Sequence, residues 1–304
     1  VYIPTNATYE MVQKELEPFV EDMSKFDFVA SKRNYDTNVK AGKFLITQKM
    51  TSFDMIRAMR RNIPVKVAFN NQESLGKLAQ RMASQLEPDS VALYVSFTNI
   101  PFLKENGFTE ENILAMFIPN TYEFYWNVNS NKLADKMAKE YKKFWNHERL
   151  AKAAAKNLTP IEVSVLASIV HKETAKNDER ATVAGVYLNR LKTGMPLQAD
   201  PTIIFAIKKE SGDFDQIIKR VFHNDLRINS PYNTYVNVGL PPGPIAMPDI
   251  SAIDAVLNAE KHDYIYFCAS PDKPGYHSFA ANYAQHQVNA RKYAAWVNKL
   301  GINR

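Results

Sequence analysis

Residues 159–173 read Thr-Pro-Ile-Glu-Val-Ser-Val-Leu-Ala-Ser-Ile-Val-His-Lys-Glu. A threonine followed by proline and, three residues later, glutamate is typical of a helix start. The Thr159 and Glu162 side chains can each accept a hydrogen bond from the other's backbone N–H group, and Pro160 fits the first helical position because it needs no donor there. The stretch therefore predicts a helix that begins at Pro160.

The apolar residues of this predicted helix lead to an acid. Val163, Leu166, Val170 and Glu173 are spaced i, i+3, i+7 and i+10, which places them on one helical face. Lysines flank Glu173, so a solvated surface position is the alternative and the usual one for a helical glutamate. A carboxyl group held against apolar neighbours instead has a raised pKa and stays a proton donor near neutral pH. Glu173 is thus the candidate general acid.

Composition limits the classes of protein to which the chain can belong. The chain has 304 residues, 45% of them hydrophobic, which is enough for one or two buried cores. Its longest apolar runs are too short to span a membrane. The formal net charge of +6 indicates acidic partners, but the lysines near residues 132–143 fit a solvated helix face, and nucleic-acid binding is not expected. Cys268 is the single cysteine, so no intrachain disulfide is possible.

The first 47 residues resemble a LysM module, a small βααβ glycan-binding fold. The match consists of an opening strand, a helix start at Asn6–Val12, a helical stretch near Phe19–Phe28 and a return strand at Lys40–Ile46. The usual Gly-Asp before the first helix is missing, so a purely structural unit is an equal alternative.

Further along, the pattern predicts a helix over Glu110–Met116, a loop or strand over Phe117–Phe124 and one long helix from about Ser130 to Asn157. The predicted fold class is α+β. It comprises a LysM-like N-terminal module over residues 1–64, a connecting α/β portion over 65–158, and a mainly helical catalytic domain with short strands over 159–304.

Three short motifs carry amide, hydroxyl and aromatic groups suited to sugar hydroxyls, N-acetyl groups and ring faces. An Asx turn or a helix N-cap before the following proline is the alternative for the one acid among them, Asp200. Packing is an alternative for each of the others. The candidate substrate-binding residues are Gln198, Asp200, Thr202, Tyr232, Asn233, Thr234, Tyr235, His277 and Phe279.

Several motifs, in order along nearly the whole chain, resemble those of the YceG-like (MltG) endolytic murein transglycosylases. The stretch Leu166–Ala175 is similar to the catalytic helix of that family, with His171 where a glutamate is common. Glu173 matches the general acid of Slt-type lytic transglycosylases. The other matching segments are Phe117–Phe124, Val183–Leu191, Gly194–Thr202, Tyr232–Tyr235, Gly239–Ile245 and His277–Phe279.

The resemblance implies a chemistry with a single carboxylate. Glu173 would protonate the bond between N-acetylmuramic acid (MurNAc) and N-acetylglucosamine (GlcNAc) and then, as a base, help to form a 1,6-anhydro end. No cofactor is implied. No metal is expected either, because His277 and His286 are nine residues apart and belong to no Cys/His cluster.

The resemblance also implies partners and a location. The partners would be peptidoglycan glycan strands and proteins of cell-wall synthesis. Family members carry an N-terminal membrane helix, absent from these 304 residues, so the protein is expected in the inner (cytoplasmic) membrane as a single-pass protein with its catalytic part facing the periplasm or cell exterior. Two alternatives stay open: a non-catalytic peptidoglycan-binding protein, and a muramidase that uses Glu173 together with Asp200.

Overall fold

The computed structural model describes residues 1–299, and within them the chain divides into two units. The first unit contains Val1–Phe69, Gly76–Asn99 and Asn120–Lys136. The second contains Asn70–Leu75, Ile100–Pro119 and the chain from Met137 onward. No helix within residues 1–299 is long and apolar enough to cross a membrane.

The first unit opens with two short strands that enclose two helices. Strand β1 (Tyr2–Ile3) pairs antiparallel with β2 (Gly42–Lys43). Between them lie α1 (Tyr9–Leu16), a 3₁₀ turn (Glu17–Phe19) and α2 (Met23–Lys32), and α3 (Ser52–Ala58) follows. The three helices are capped by the side chains of Thr8, Asp22 and Thr51. The apolar core of this part includes Ile3, Val12, Leu16, Phe26, Tyr35, Phe44 and Ile56.

A second antiparallel pair joins distant parts of the first unit. Strand β3 (Pro64–Phe69) pairs with β4 (Asn120–Tyr125), with Pro64 opposite Tyr125 and Phe69 opposite Asn120. Alternate residues along both strands are buried, as expected for strands with one face on a core. Between these strands in sequence lie α4 (Leu75–Ala83), α5 (Ser90–Thr98), α6 (Ile100–Asn106) and a 3₁₀ turn (Ile113–Met116).

The long helix predicted over residues 130–157 is wrong in one respect, because the structure breaks it in two. Helix α7 (Ser130–Phe144) ends before the buried Trp145, and α8 (His147–Ala154) begins after Asn146, whose side chain accepts a hydrogen bond from the Arg149 backbone N–H. The helix predicted over Glu110–Met116 is likewise only the 3₁₀ turn at its end.

The second unit is built around α9 (Pro160–Glu173), which begins as predicted, with Thr159 and Glu162 forming a capping box. This helix packs against α8, α10 (Arg180–Thr193), α11 (Asp200–Ser211) and α12 (Ile250–Leu257). Every residue from Val163 to Val170 is buried, so the buried surface extends around the helix and not along one face. A helix surrounded in this way has its position fixed by its neighbours.

The second unit ends with a small sheet and a helix. Strand β5 (Tyr266–Ala269) pairs antiparallel with β6 (His277–Ala280), and α13 (Tyr283–Lys299) follows. A 3₁₀ turn (Asp225–Arg227) lies in the long segment between α11 and α12. Helices mixed with small antiparallel sheets confirm the predicted α+β class.

Candidate functional site

Glu173 is the last residue of α9, at the point where the buried part of the helix ends. The residue as a whole is partly exposed, but its Oε2 atom is buried and has no hydrogen-bond partner. Val163, Leu166 and Val170, on the same face, are fully buried. A buried carboxyl oxygen without a donor favours the protonated acid, because the anion would lose its hydration there.

The surroundings of Glu173 raise its pKa strongly. Burial, and next the negative charge of Asp200, raise the pKa of Glu173 to about 8. A hydrogen bond with Tyr187 and the positive charge of Arg190 act in the opposite direction and are outweighed. The carboxyl group is therefore protonated at neutral pH and can donate its proton.

Helix α10 carries the two residues that act to lower the pKa of Glu173. Tyr187 and Arg190 are three residues apart, so they project from the same side of the helix. The Arg190 guanidinium donates to the backbone carbonyls of Ile265 (2.7 Å) and Leu197 (2.7 Å) and lies 5.5 Å from the centre of the Tyr266 ring. Neither Tyr187 nor Arg190 was a sequence candidate, although both lie in the family-like segment 183–191. Their i, i+3 spacing is the signal that could have found them.

Asp200 and Tyr235 form a pair beside Glu173. The Tyr235 hydroxyl donates to Asp200 Oδ1 at 2.5 Å, and the negative charge of Asp200 raises the pKa of Glu173. Burial, and next the hydrogen bond with Asp200, raise the pKa of Tyr235 above its usual value. Helix α11 is capped at Ala199, so Asp200 is its first helical residue and not its N-cap.

Hydrogen bonds of backbone and hydroxyl groups connect two of the predicted motifs. The Gln198 N–H donates to the Thr234 carbonyl, the Ala199 N–H donates to Thr234 Oγ1, and the hydroxyls of Thr202 and Thr234 lie 2.9 Å apart. Both threonines are fully buried, whereas Gln198 is exposed, with a φ of 51° in the left-handed region. The segments 198–202 and 232–235 thus meet although 29 residues of chain lie between them.

Tyr232 and Asn233 are also buried, and their polar groups are bonded within the protein. Asn233 donates to two backbone carbonyls, and its Oδ1 accepts from the Tyr235 N–H at 2.9 Å. The Tyr232 ring packs at 4.7 Å from that of Phe205. Asn233 therefore fixes the backbone that presents the Tyr235 hydroxyl.

His277 is connected to the end of α9 through a buried acid. The Glu179 carboxylate accepts from the His277 N–H (2.7 Å), from His277 Nδ1 (2.9 Å) and from the Thr174 hydroxyl (3.1 Å). Thr174 directly follows Glu173 in the chain. Phe279, by contrast, belongs to an aromatic group with Tyr264 and Phe267. Glu179 was not a candidate in the sequence, because nothing local shows that its partners come from residues 174 and 277.

His171, where the family commonly has glutamate, is bound on both sides of its ring. Asn71 donates to its Nε2 at 2.5 Å, and Asp249 Oδ2 lies 3.2 Å from its Nδ1. Burial lowers the pKa of His171, against the opposing effect of Asp249. Among residues 1–299, no group of three or more histidine, cysteine, aspartate or glutamate side chains is placed to hold a metal ion.

An acid with a raised pKa, at the end of a buried helix in an α+β fold, defines a candidate acid–base site. A sequence model of the YceG-like family matches residues 1–292, and the chain belongs to this family.

Two relatives named endolytic murein transglycosylase are similar to the chain. One, from Streptococcus pneumoniae serotype 2 (strain D39), is 28% identical over 325 residues, which cover 96% of this chain and 58% of that protein. The other, from Bacillus subtilis (strain 168), is 40% identical over 134 residues, covering 44% of this chain and 35% of that protein. The chain thus spans little more than half the length of the first relative.

A solved structure shares the fold. The crystal structure of a yceG-like protein from Listeria monocytogenes is 26% identical and aligns with a TM-score of 0.61, covering 94% of this chain and 97% of that one.

Proposed function

We propose that the chain contains the catalytic part of an endolytic peptidoglycan lytic transglycosylase that cleaves the MurNAc–GlcNAc bond and leaves 1,6-anhydro-MurNAc ends. The observation that carries the proposal is the Glu173 carboxyl group, with its buried, unpartnered Oε2 and a pKa raised to about 8. Membership of the YceG-like family and the printed names of the relatives support it.

In the proposed reaction, one carboxyl group moves a proton twice. Glu173 gives its proton to the glycosidic oxygen as the bond from that oxygen to C1 of MurNAc breaks, and the acetamido group of the sugar supports the charge at C1. The Glu173 carboxylate then takes the proton of the C6 hydroxyl, whose oxygen bonds to C1. Arg190 stabilises the carboxylate while the proton is away, since its charge lowers the pKa of Glu173. The acid is restored without water.

The sequence candidates divide into two proposed roles. We assign direct contact with the glycan to Gln198, Asp200 and Tyr235, which are not buried, and to His277. We assign a supporting role to the residues whose polar groups or rings are engaged inside the protein: Thr202, Tyr232, Asn233, Thr234 and Phe279.

The test is the variant Glu173→Gln. It keeps the size of the side chain but removes its titratable proton, so cleavage should fall by at least about 10²- to 10⁴-fold. The readout is the number of 1,6-anhydro ends released from peptidoglycan, counted by mass spectrometry. Asp200→Asn serves as the comparison and should be milder, because this residue moves no proton. Near wild-type release by Glu173→Gln would contradict the mechanism.

One observation favours a second candidate, a muramidase that uses Glu173 and Asp200 together. Asp200 is close enough for its charge to raise the pKa of Glu173, and hydrolytic glycosidases commonly use two carboxylates. The same assay separates the possibilities: ordinary reducing ends indicate a muramidase, and intact strands indicate a protein that only binds peptidoglycan.

We also propose that residues 1–64 form a LysM-like glycan-binding module, joined by residues 65–158 to a catalytic domain over 159–304. The order β1, α1, α2, β2, with the two strands paired antiparallel, supports the module. A protein that acts on peptidoglycan works outside the cytoplasm, and the single-pass anchor and the cell-wall synthesis partners belong to the same proposal.

A further inference from the structure

A cavity of about 510 Å³ opens beside α9 and α11 in the second unit. Two of its lining residues are chain neighbours of the candidate acids: Lys172 precedes Glu173, and Pro201 follows Asp200. Helix α11 contributes one face to the wall, with lining residues spaced i, i+3, i+4 and i+7, namely Pro201, Ile204, Phe205 and Lys208. The cavity therefore shares helices α9 and α11 with the proposed catalytic site, and Glu173 is not among its lining residues.

The wall carries charges of both signs. Glu73 accepts hydrogen bonds from Lys172 (2.5 Å) and Lys208 (2.6 Å). Burial opposes the ionisation of Glu73, but these two lysines outweigh it and lower its pKa. Two ammonium groups thus share one carboxylate, and Asp215 adds a second acid to the wall. A ligand with both carboxylates and an ammonium group matches these charges.

Apart from Gln216, the rest of the wall is apolar. It includes Phe205, Phe214 and Ile218, and Ile245, whose N–H is bonded to Ser168 of α9. Ile217 lies in the lining too, with 82% of its surface exposed. A largely exposed isoleucine beside an apolar concavity is typical of a binding site, because a ligand there would remove apolar surface from water.

We propose that this cavity receives the peptide stem carried by the MurNAc residue whose bond is cut at Glu173. The inference rests on the proposed function. The stem is attached to the same sugar ring that reacts, so it must leave the catalytic site close to Glu173. A stem of alanine, glutamate and a diamino acid has methyl groups for the apolar wall, carboxylates for the lysines and an ammonium group for the acids.

The test compares two substrates: uncrosslinked glycan strands that carry stems, and the same strands after an amidase has removed the stems. The wild-type protein should prefer the first by kcat/KM. Ile217→Asp places a charge in the apolar wall that repels the stem carboxylates, and it should reduce this preference about fivefold or more. The matched control is Val91→Asp on α5, an aliphatic residue that is 68% exposed and outside the cavity. It should leave the preference unchanged.

The possible results separate the proposed stem site from the proposed transglycosylase function. Equal cleavage of both substrates by the wild type, or the same preference in Ile217→Asp as in the wild type, overturns the stem site and leaves the transglycosylase proposal standing. A loss of preference that Val91→Asp shares also overturns it. If the wild type cleaves neither substrate, the proposed function itself fails, and the stem site fails with it.

Discussion

At the scale of single residues, the titration of Glu173 should set the upper pH limit of activity. Because its pKa is raised to about 8, the acid is protonated at neutral pH and loses its proton above that value. The kcat/KM for strand cleavage should then fall by roughly tenfold per pH unit on the alkaline side. A pH series of 1,6-anhydro end release measures this limb.

The variant Asp200→Asn tests the cause of this pH limit. Since the negative charge of Asp200 raises the pKa of Glu173, its removal should move the alkaline limb to lower pH. Asp135→Asn, on the exposed side of α7, is the control and should leave the limb where it is. A limb that does not move in Asp200→Asn, or that moves equally in the control, would contradict the assignment of this charge.

At the scale of elements, Glu179 connects α9, α10 and β6. It is 6% exposed and accepts three hydrogen bonds, from Thr174 and His277. Glu179→Gln keeps the size but replaces one acceptor oxygen with an amide group, so it should disturb how the end of α9 and His277 are held. We expect a kcat lower by about 10- to 100-fold with a much smaller change in KM.

The control for this positioning role is Glu210→Gln, an exposed residue of α11. Thermal unfolding of both variants shows whether a lower kcat comes from misplaced groups in a folded protein or from unfolded protein. A Glu179→Gln protein that is stable at the assay temperature and retains the wild-type kcat would show that the network does not position the site.

The same elements show how far the sequence could predict the fold. The start of α9 was predictable because its signals, Thr159, Pro160 and Glu162, are local. The break at Asn146 was missed because the helical pattern continues on both sides of a cap whose only local mark is one asparagine. The pattern predicts a helix where the structure has the 3₁₀ turn at Ile113–Met116, because a short apolar run does not distinguish the two.

The candidate site could be predicted only in part, because only some of its residues are marked by local sequence. Glu173 stands out because it is an acid that closes a largely apolar stretch of its own helix. The contribution of Glu179, Tyr187 and Arg190 depends on partners that only the folded chain brings close. The buried hydroxyls of Thr202 and Thr234 likewise bond to each other across 32 positions, a contact that no local pattern encodes.

At the scale of the whole molecule, the LysM-like proposal predicts a second place where glycan binds. The full chain with Glu173→Gln should bind GlcNAc oligomers without cutting peptidoglycan. Amide signals of residues 1–47 should then shift in NMR titrations, in addition to those of residues 159–299. Shifts confined to residues 159–299 would mean that the N-terminal strands and helices have only a structural role.

The position of Glu173 at the last residue of α9 has one more physical consequence. Aligned peptide dipoles give the C-terminal end of a helix a partial negative charge of about half an electron. This field opposes a carboxylate at that end of α9 and favours the neutral acid. The backbone of the helix therefore helps to keep the proton on Glu173 until a sugar oxygen takes it, and no side-chain substitution can remove that contribution while the helix persists.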